Sequence, residues 1–219
     1  HDSIRFQCAQ NLGNAALHLV VSALEKRADI QRGDSGAERL DKMEAVLAPT
    51  TRPAEQRNAL IGGMLKLPIE DRYPALGMSP QRLLEETLGA VIEEIFASAG
   101  SQPMLIVFED LHWADPTTLE LIGRLISEIG ARKIMLLATY RMEFTPPWAG
   151  YAHLTQLTLN RLSKSACSDM IDQFTGGKPL DAAIKAEIIE KADGVPLFVE
   201  EITKTVLEAG YVIETETGF

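Results

Sequence analysis

Two adjacent carboxylates, Glu109 and Asp110, directly follow an uninterrupted apolar run, Met104-Leu105-Ile106-Val107-Phe108. A run without alternation suits a parallel strand buried on both faces. The C-terminal end of such a strand is where open parallel sheets bind their ligands. If strand geometry continues through the pair, the two side chains point to opposite faces and cannot share one task. One of them then suits a Mg²⁺ ion held through its water shell. The other suits a γ-phosphate, where it would orient an attacking water. Taken alone, the pair is better explained as a strand ending in two solvated acids. The residues that follow favour a site. Asp115 reads as a helix N-cap with Pro116 at the first helical position. Leu119, Ile122, Leu125, Ile126 and Ile129 then recur on one helical face. Gly130 is expected to close that helix in a left-handed conformation.

A second apolar run, residues 133–140, is expected to form another buried strand and leads directly into Arg141. A fixed cation at a strand's C-terminal end can contact a γ-phosphate. The competing reading is a surface arginine paired with Glu143. Other chemistries find less support. The four histidines show no metal-ligand spacing, and His112 beside Trp113 reads as a packed turn residue rather than a general base. Gly176-Gly177-Lys178 lacks both the spacing of a phosphate loop and a buried strand before it. No G-x-S-x-G elbow is present. Paired acids also serve glycosidases, but the alternation of strands and helices here favours an α/β nucleotide fold.

The elements that must carry these residues follow in order. Residues 4–8 alternate and read as a short strand, 11–14 as a turn, and 15–26 as a helix with Leu17, Val20, Val21 and Leu24 on one face. Residues 29–36 form a polar loop. Helices are expected over 38–47 and 55–65, the second weakened by Gly62-Gly63, with 68–77 irregular. This stretch reads as helical packing without chemistry. Ser79-Pro80 opens a long helix to Ser98 that Gly100 ends. Beyond Arg141, Pro146-Pro147-Trp148 is a rigid loop and 153–159 a further strand. Composition then shifts. Ser163 caps a helix to Phe174, 176–179 is a turn, 181–192 is a helix, and a last helix runs from Pro196 or Leu197 to Ala209, ended by Gly210. Residues 211–213 read as a short strand. The expected division is a core over 1–159 and a small helical unit over 160–219.

The 219 residues suffice for one sizeable α/β domain with an appendage. Hydrophobic content is 46% and charged content 24%, ordinary for a soluble globular chain. The net charge of −10, without a basic stripe, argues against direct nucleic-acid binding. It leaves ATP open, since ATP needs only a local positive site. Cys8 and Cys167 lie far apart and suit reduced, intracellular thiols. No apolar run is long enough to span a bilayer, so no membrane partner is expected, and the expected location is cytoplasmic. His1-Asp2-Ser3 is neither a start methionine nor a signal peptide, so the chain reads as a piece of a longer protein.

Strand, acid pair, tight turn and capped helix together read as the Walker B element of a P-loop nucleotidase. Three separated stretches extend that likeness. Leu-Ile-Val-Phe-Glu-Asp-Leu-His-Trp-Ala-Asp-Pro resembles the Walker B segment of the AAA-like signal-transduction ATPases with numerous domains (STAND). Ala-Thr-Tyr-Arg-Met-Glu-Phe-Thr-Pro-Pro-Trp resembles their sensor strand with its arginine, and Asp-Gly-Val-Pro-Leu-Phe-Val-Glu-Glu their lid segment. The opening Ile-Arg-Phe-Gln-Cys and Asn-Ala-Ala-Leu-His resemble the stretch just after the P-loop helix. The pattern is most similar to the ATPase module of bacterial proteins that join a class III adenylate/guanylate cyclase domain, this ATPase and tetratricopeptide-like repeats. The likeness is weakest over 28–78.

This resemblance implies a P-loop NTPase-like α/β fold, a parallel sheet that lacks the Walker A strand, and a C-terminal helical lid. It implies Glu109 as the Mg²⁺ residue, Asp110 as the catalytic base, Arg141 as the sensor arginine and Pro196 as the lid proline that approaches the adenine. Two departures stand out. Glu replaces the commoner Asp at the metal position, and no Walker A loop is present, its place in the family falling before His1. Mg²⁺ and ATP are therefore expected in the longer protein and not in this fragment. Expected partners are ATP in the longer protein and the cyclase and repeat domains of the same chain; the gap left by the missing strand is expected either to close by direct pairing of 133–140 with 153–159 or to be filled by a second copy. The rival expectations are a nucleotide-independent interaction scaffold and the ATPase module of a LuxR-type transcription regulator.

Overall fold

The structure, a computed structural model, describes residues 2–10, 16–148, 150–177 and 180–208. It is α/β. Three parallel strands, β1 (Asp2–Gln7), β2 (Met104–Glu109) and β3 (Ile134–Ala138), form an open sheet in the order β1-β2-β3. The apolar run at β2 dictates its central place. Ile106, Val107 and Phe108 are buried, so both faces of the strand are covered. The register sets Phe6 opposite Phe108, and their rings stack with centroids 4.8 Å apart. One shift along β2 would turn Phe108 to the other face, so this pair pins the alignment.

The helices follow the capping chemistry. Ser35 caps α2 (Gly36–Val46) reciprocally with Glu38. Ser79 caps α4 (Pro80–Ala99), and Gly100 ends it at φ 54°. Helix α1 is His18–Arg27 and α3 is Ala54–Met64. Gly62 in α3 has a packing reason: a Cβ there would stand 2.7 Å from Ile69 Cγ2. Residues Arg27, Ala48 and Arg52 are held to α4 by partly buried ion pairs and hydrogen bonds. Glu94 accepts from Arg27 Nη1 at 2.9 Å and from the Ala48 amide, and Arg52 bridges Glu86 and Glu93. Helix α5 (Pro116–Ile129) buries Leu121, Ile122, Leu125 and Ile126 against the core.

Three expectations are corrected. Gly130 does not end α5 in a left-handed conformation; it stays right-handed at φ −56°. A Cβ there would stand 3.4 Å from the His153 ring, within ordinary contact distance. β3 is not buried on both faces. Ile134, Leu136 and Ala138 pack on the core, while Met135 is 64% and Leu137 45% exposed. Residues 153–159 form no strand. Their alternation satisfies the side-chain pattern, but a strand needs a ladder partner. Without one, Leu157 and Leu159 stand 82% and 92% exposed. β3 is thus an edge strand whose outer backbone groups pair with no strand among the described residues.

The chain divides into two compact units, His1–Leu154 and Thr155–Phe219. The sheet and α1 to α5 lie in the first. The second contains α6 (Lys164–Phe174), α7 (Ala182–Ala192) and α8 (Pro196–Glu208), packed on Cys167, Ile171, Ile188 and Val199. Ser163 caps α6 and Asp181 caps α7. The expected turn at 11–14, the ends at Ala209 and Gly210 and the short strand at 211–213 lie outside the described residues. Among the described residues no helix is long and apolar enough to cross a membrane.

Candidate functional site

Glu109 is the last residue of β2 and Asp110 the first beyond it, at the carboxyl edge of the parallel sheet. Both neighbouring strands grip this point. The Cys8 amide donates to the Glu109 carbonyl at 3.0 Å. On the other side the Thr139 amide donates to the Phe108 carbonyl and the Leu111 amide to the Thr139 carbonyl, each at 2.9 Å. The Asp110 amide donates to Thr139 Oγ1 at 3.2 Å. The alternation expected for the two acids stops at Glu109. Asp110 adopts φ 59°, ψ 42°, a left-handed conformation that Asp tolerates better than most residues. The turn, not the pleat, therefore aims its carboxylate.

A 3-10 turn, Leu111–Trp113, carries the chain into α5. Asp115 is buried as its N-cap and accepts from the Thr117 and Thr118 amides at 3.0 Å and from Thr118 Oγ1 at 2.5 Å. Asp115→Ala is expected to destabilise the first unit by about 2–4 kcal/mol, because it removes a cap and strands the buried Thr118 hydroxyl. Urea unfolding of the variant checks this; a loss below about 0.5 kcal/mol would contradict it. His112 packs against Trp113 with ring centroids 5.0 Å apart, and both its ring nitrogens are buried without a hydrogen-bond partner. It is a packed turn residue.

Arg141 lies three residues beyond β3 and is exposed. It forms no ion pair with Glu143. Its guanidinium stands 6.0 Å from the Trp113 ring centroid, at the outer reach of a cation–π contact. Arg141 and the acid pair thus follow the same ends of adjacent parallel strands, joined through Thr139. Pro196 starts α8 in the second unit.

Two residues bear on the acid pair: Arg5, which sequence reasoning passes over, and Cys8, which it reads as a reduced thiol without linking it to the acids. Arg5 Nη1 lies 3.8 Å from Glu109 Oε1. Cys8 is a buried free thiol, raised from an ordinary 9.0 to about 11 by burial first and then by the Asp110 and Asp115 charges. The unfolded thiol ionises near its ordinary value and the folded one only near about 11. Stability is therefore full below that ordinary value and falls as pH rises through the folded one. The loss expected is on the order of 1–2 kcal/mol, and Cys8→Ala should flatten it. Urea midpoints at about pH 8 and about pH 10.5 test this; an equal fall in the Cys8→Ala protein would assign it to other groups. The signal for Arg5 was in the alternation of residues 4–8, but its partner depends on strand pairing.

No group of three or more His, Cys, Asp or Glu side chains able to hold a metal exists among the described residues. A cation caged by protein alone does not fit. Mg²⁺ is commonly held by one or two carboxylates, with water and phosphate completing its shell. The partly exposed Glu109 and Asp110 carboxylates at a sheet edge fit that mode.

The chain is 28% identical over 131 residues to an uncharacterized protein of Rhizobium meliloti (strain 1021). The match takes in 58% of this chain and 12% of that protein. No family model matches the chain, and no solved structure does.

Proposed function

We propose that this chain is part of an ATP-binding and ATP-hydrolysing switch module of a longer signalling protein, controlling an attached adenylate or guanylate cyclase. One observation carries the reading. Glu109 and Asp110 stand at the carboxyl edge of a parallel sheet, their backbone tied to both neighbouring strands, with Arg141 following the adjacent strand. In this reading Glu109 holds Mg²⁺ through water, and Asp110 orients the attacking water and takes up its proton. Arg141 contacts the γ-phosphate and Pro196 borders the adenine. When bound, Mg²⁺ neutralises charge on the β- and γ-phosphate oxygens. The three-helix unit acts as a lid that ATP orders and hydrolysis releases.

The 219 residues contain no G-x-x-x-x-G-K-[ST] segment, so most contacts to the triphosphate come from elsewhere in the longer protein. The bare edge of β3 supports completion of the sheet by a further strand. In the isolated chain we expect that place to be taken by a second copy; sedimentation as a pure monomer at high concentration would contradict this. Calorimetry with Mg-ATP and phosphate release test the function. The longer protein should bind and hydrolyse ATP, and the isolated chain should bind it only weakly. No binding by the longer protein would overturn the proposal. That outcome would favour a nucleotide-independent interaction scaffold, the reading supported by the Arg5 pairing of Glu109 and the exposed β3 face.

A further inference from the structure

The Glu109 carboxylate does not stand free. In the β1-β2 register Arg5 lies opposite Val107, and Gln7 opposite Glu109. Alternate residues share a face, so Arg5 and Glu109 sit diagonally on the same side of the sheet. The stacked Phe6 and Phe108 rings fix the alignment that puts them there. The 3.8 Å separation is too long for a hydrogen bond, so the attraction is one of charge. The Arg5 side chain is 71% exposed and that of Glu109 30%, which leaves the contact weak and the arginine free to swing away.

We propose that Arg5 is a positioning residue: it holds the Glu109 carboxylate while no metal is present and must leave it when a hydrated divalent cation arrives. Cation entry and Arg5 departure are then coupled, and Arg5 weakens cation binding at rest. This rests on Glu109 as the metal-holding residue. The sign follows from charge. A guanidinium beside the carboxylate repels a divalent cation and competes for the same oxygens. The effect fades with salt, as it does for exposed pairs.

The test uses the full 219-residue chain and Mn²⁺ titrated to millimolar concentration, since paramagnetic broadening of the Cys8, Asp110 and Leu111 amide resonances reads even the weak, fast-exchanging occupancy expected without the rest of the site. At low ionic strength, Arg5→Gln should lower the Mn²⁺ concentration for half-broadening about two- to fivefold. Arg5→Lys should stay near the parent value. Glu109→Gln should raise the Mn²⁺ concentration for half-broadening about tenfold or more, the Asp110 carboxylate remaining, and adding Arg5→Gln to it should lower that concentration no further. An Arg5→Gln titration that matches the parent overturns the role of Arg5 while leaving Glu109 as the cation residue. An equal gain in the Glu109→Gln background also overturns it, since the effect would then be one of net charge. A half-broadening concentration left unchanged by Glu109→Gln alone overturns the metal role of Glu109 itself, and this inference with it.

Discussion

Asp110→Asn is expected to lower ATP turnover by the longer protein about 10²- to 10⁴-fold while leaving Mg-ATP affinity within a few-fold. The amide keeps the size of the side chain but cannot accept the proton of the attacking water. The substitution is also clean in its backbone. Residue 110 sits at φ 59°, and Asn adopts that conformation about as readily as Asp. Alanine would add strain at the turn and confuse a chemical loss with a structural one. The Asp110 amide bond to Thr139 and the Leu111 bond to its carbonyl do not involve the carboxylate, so the edge of the sheet should persist. Phosphate release gives the turnover and calorimetry the affinity. Equal losses in both would remove Asp110 from the chemical step and return it to binding or folding.

Gly194→Ala is expected to unfold the three-helix unit, with a cost on the order of 3–5 kcal/mol. Gly194 sits at φ 73°, and the preceding Asp193 is also left-handed at φ 46°. A Cβ on residue 194 would lie 2.6 Å from the Leu162 carbonyl oxygen and 3.1 Å from its amide nitrogen. Those are backbone atoms, and the Leu162 amide donates to the Gly194 carbonyl at 2.8 Å, so neither side can move away cheaply. The core of this unit is small, and a small core leaves little stability in reserve. Because the chain has two compact units, melting should show loss of the second unit with the sheet unit retained. A thermal scan in which both units melt as in the parent would contradict this. In the longer protein the same variant should weaken nucleotide closure, if the unit serves as the lid.

Local chemistry explains which parts were legible. Ser79-Pro80, Asp115-Pro116 and Ser163 signal helix starts because a side-chain oxygen before a free amide works wherever the helix sits. The apolar run 104–108 announces a central strand because only a strand covered on both faces needs every side chain apolar. The same argument failed at 133–140, where Met135 and Leu137 are apolar yet exposed. Composition states what a face would prefer, not whether another layer reaches it. Residues 153–159 failed for a related reason, since alternation describes side chains while a ladder needs a second backbone. Gly130 was read as a positive-φ position, but its backbone stays right-handed at φ −56°.

The sequence by itself determined that Glu109 and Asp110 end a buried strand and that a capped helix follows, because both depend on neighbours within a few residues. It also located Arg141 after the next strand. Only the tertiary structure decided that β1 lies beside β2, which brings Arg5 to Glu109 and the Cys8 amide to its carbonyl. Only it showed Asp110 turned into a left-handed conformation under the Thr139 bonds, and β3 left as an edge. Paired residues lie 102 positions apart for β1 and β2 (Asp2 with Met104) and 30 apart for β2 and β3 (Met104 with Ile134), and hydrogen-bond register between strands leaves no mark on either strand's own composition.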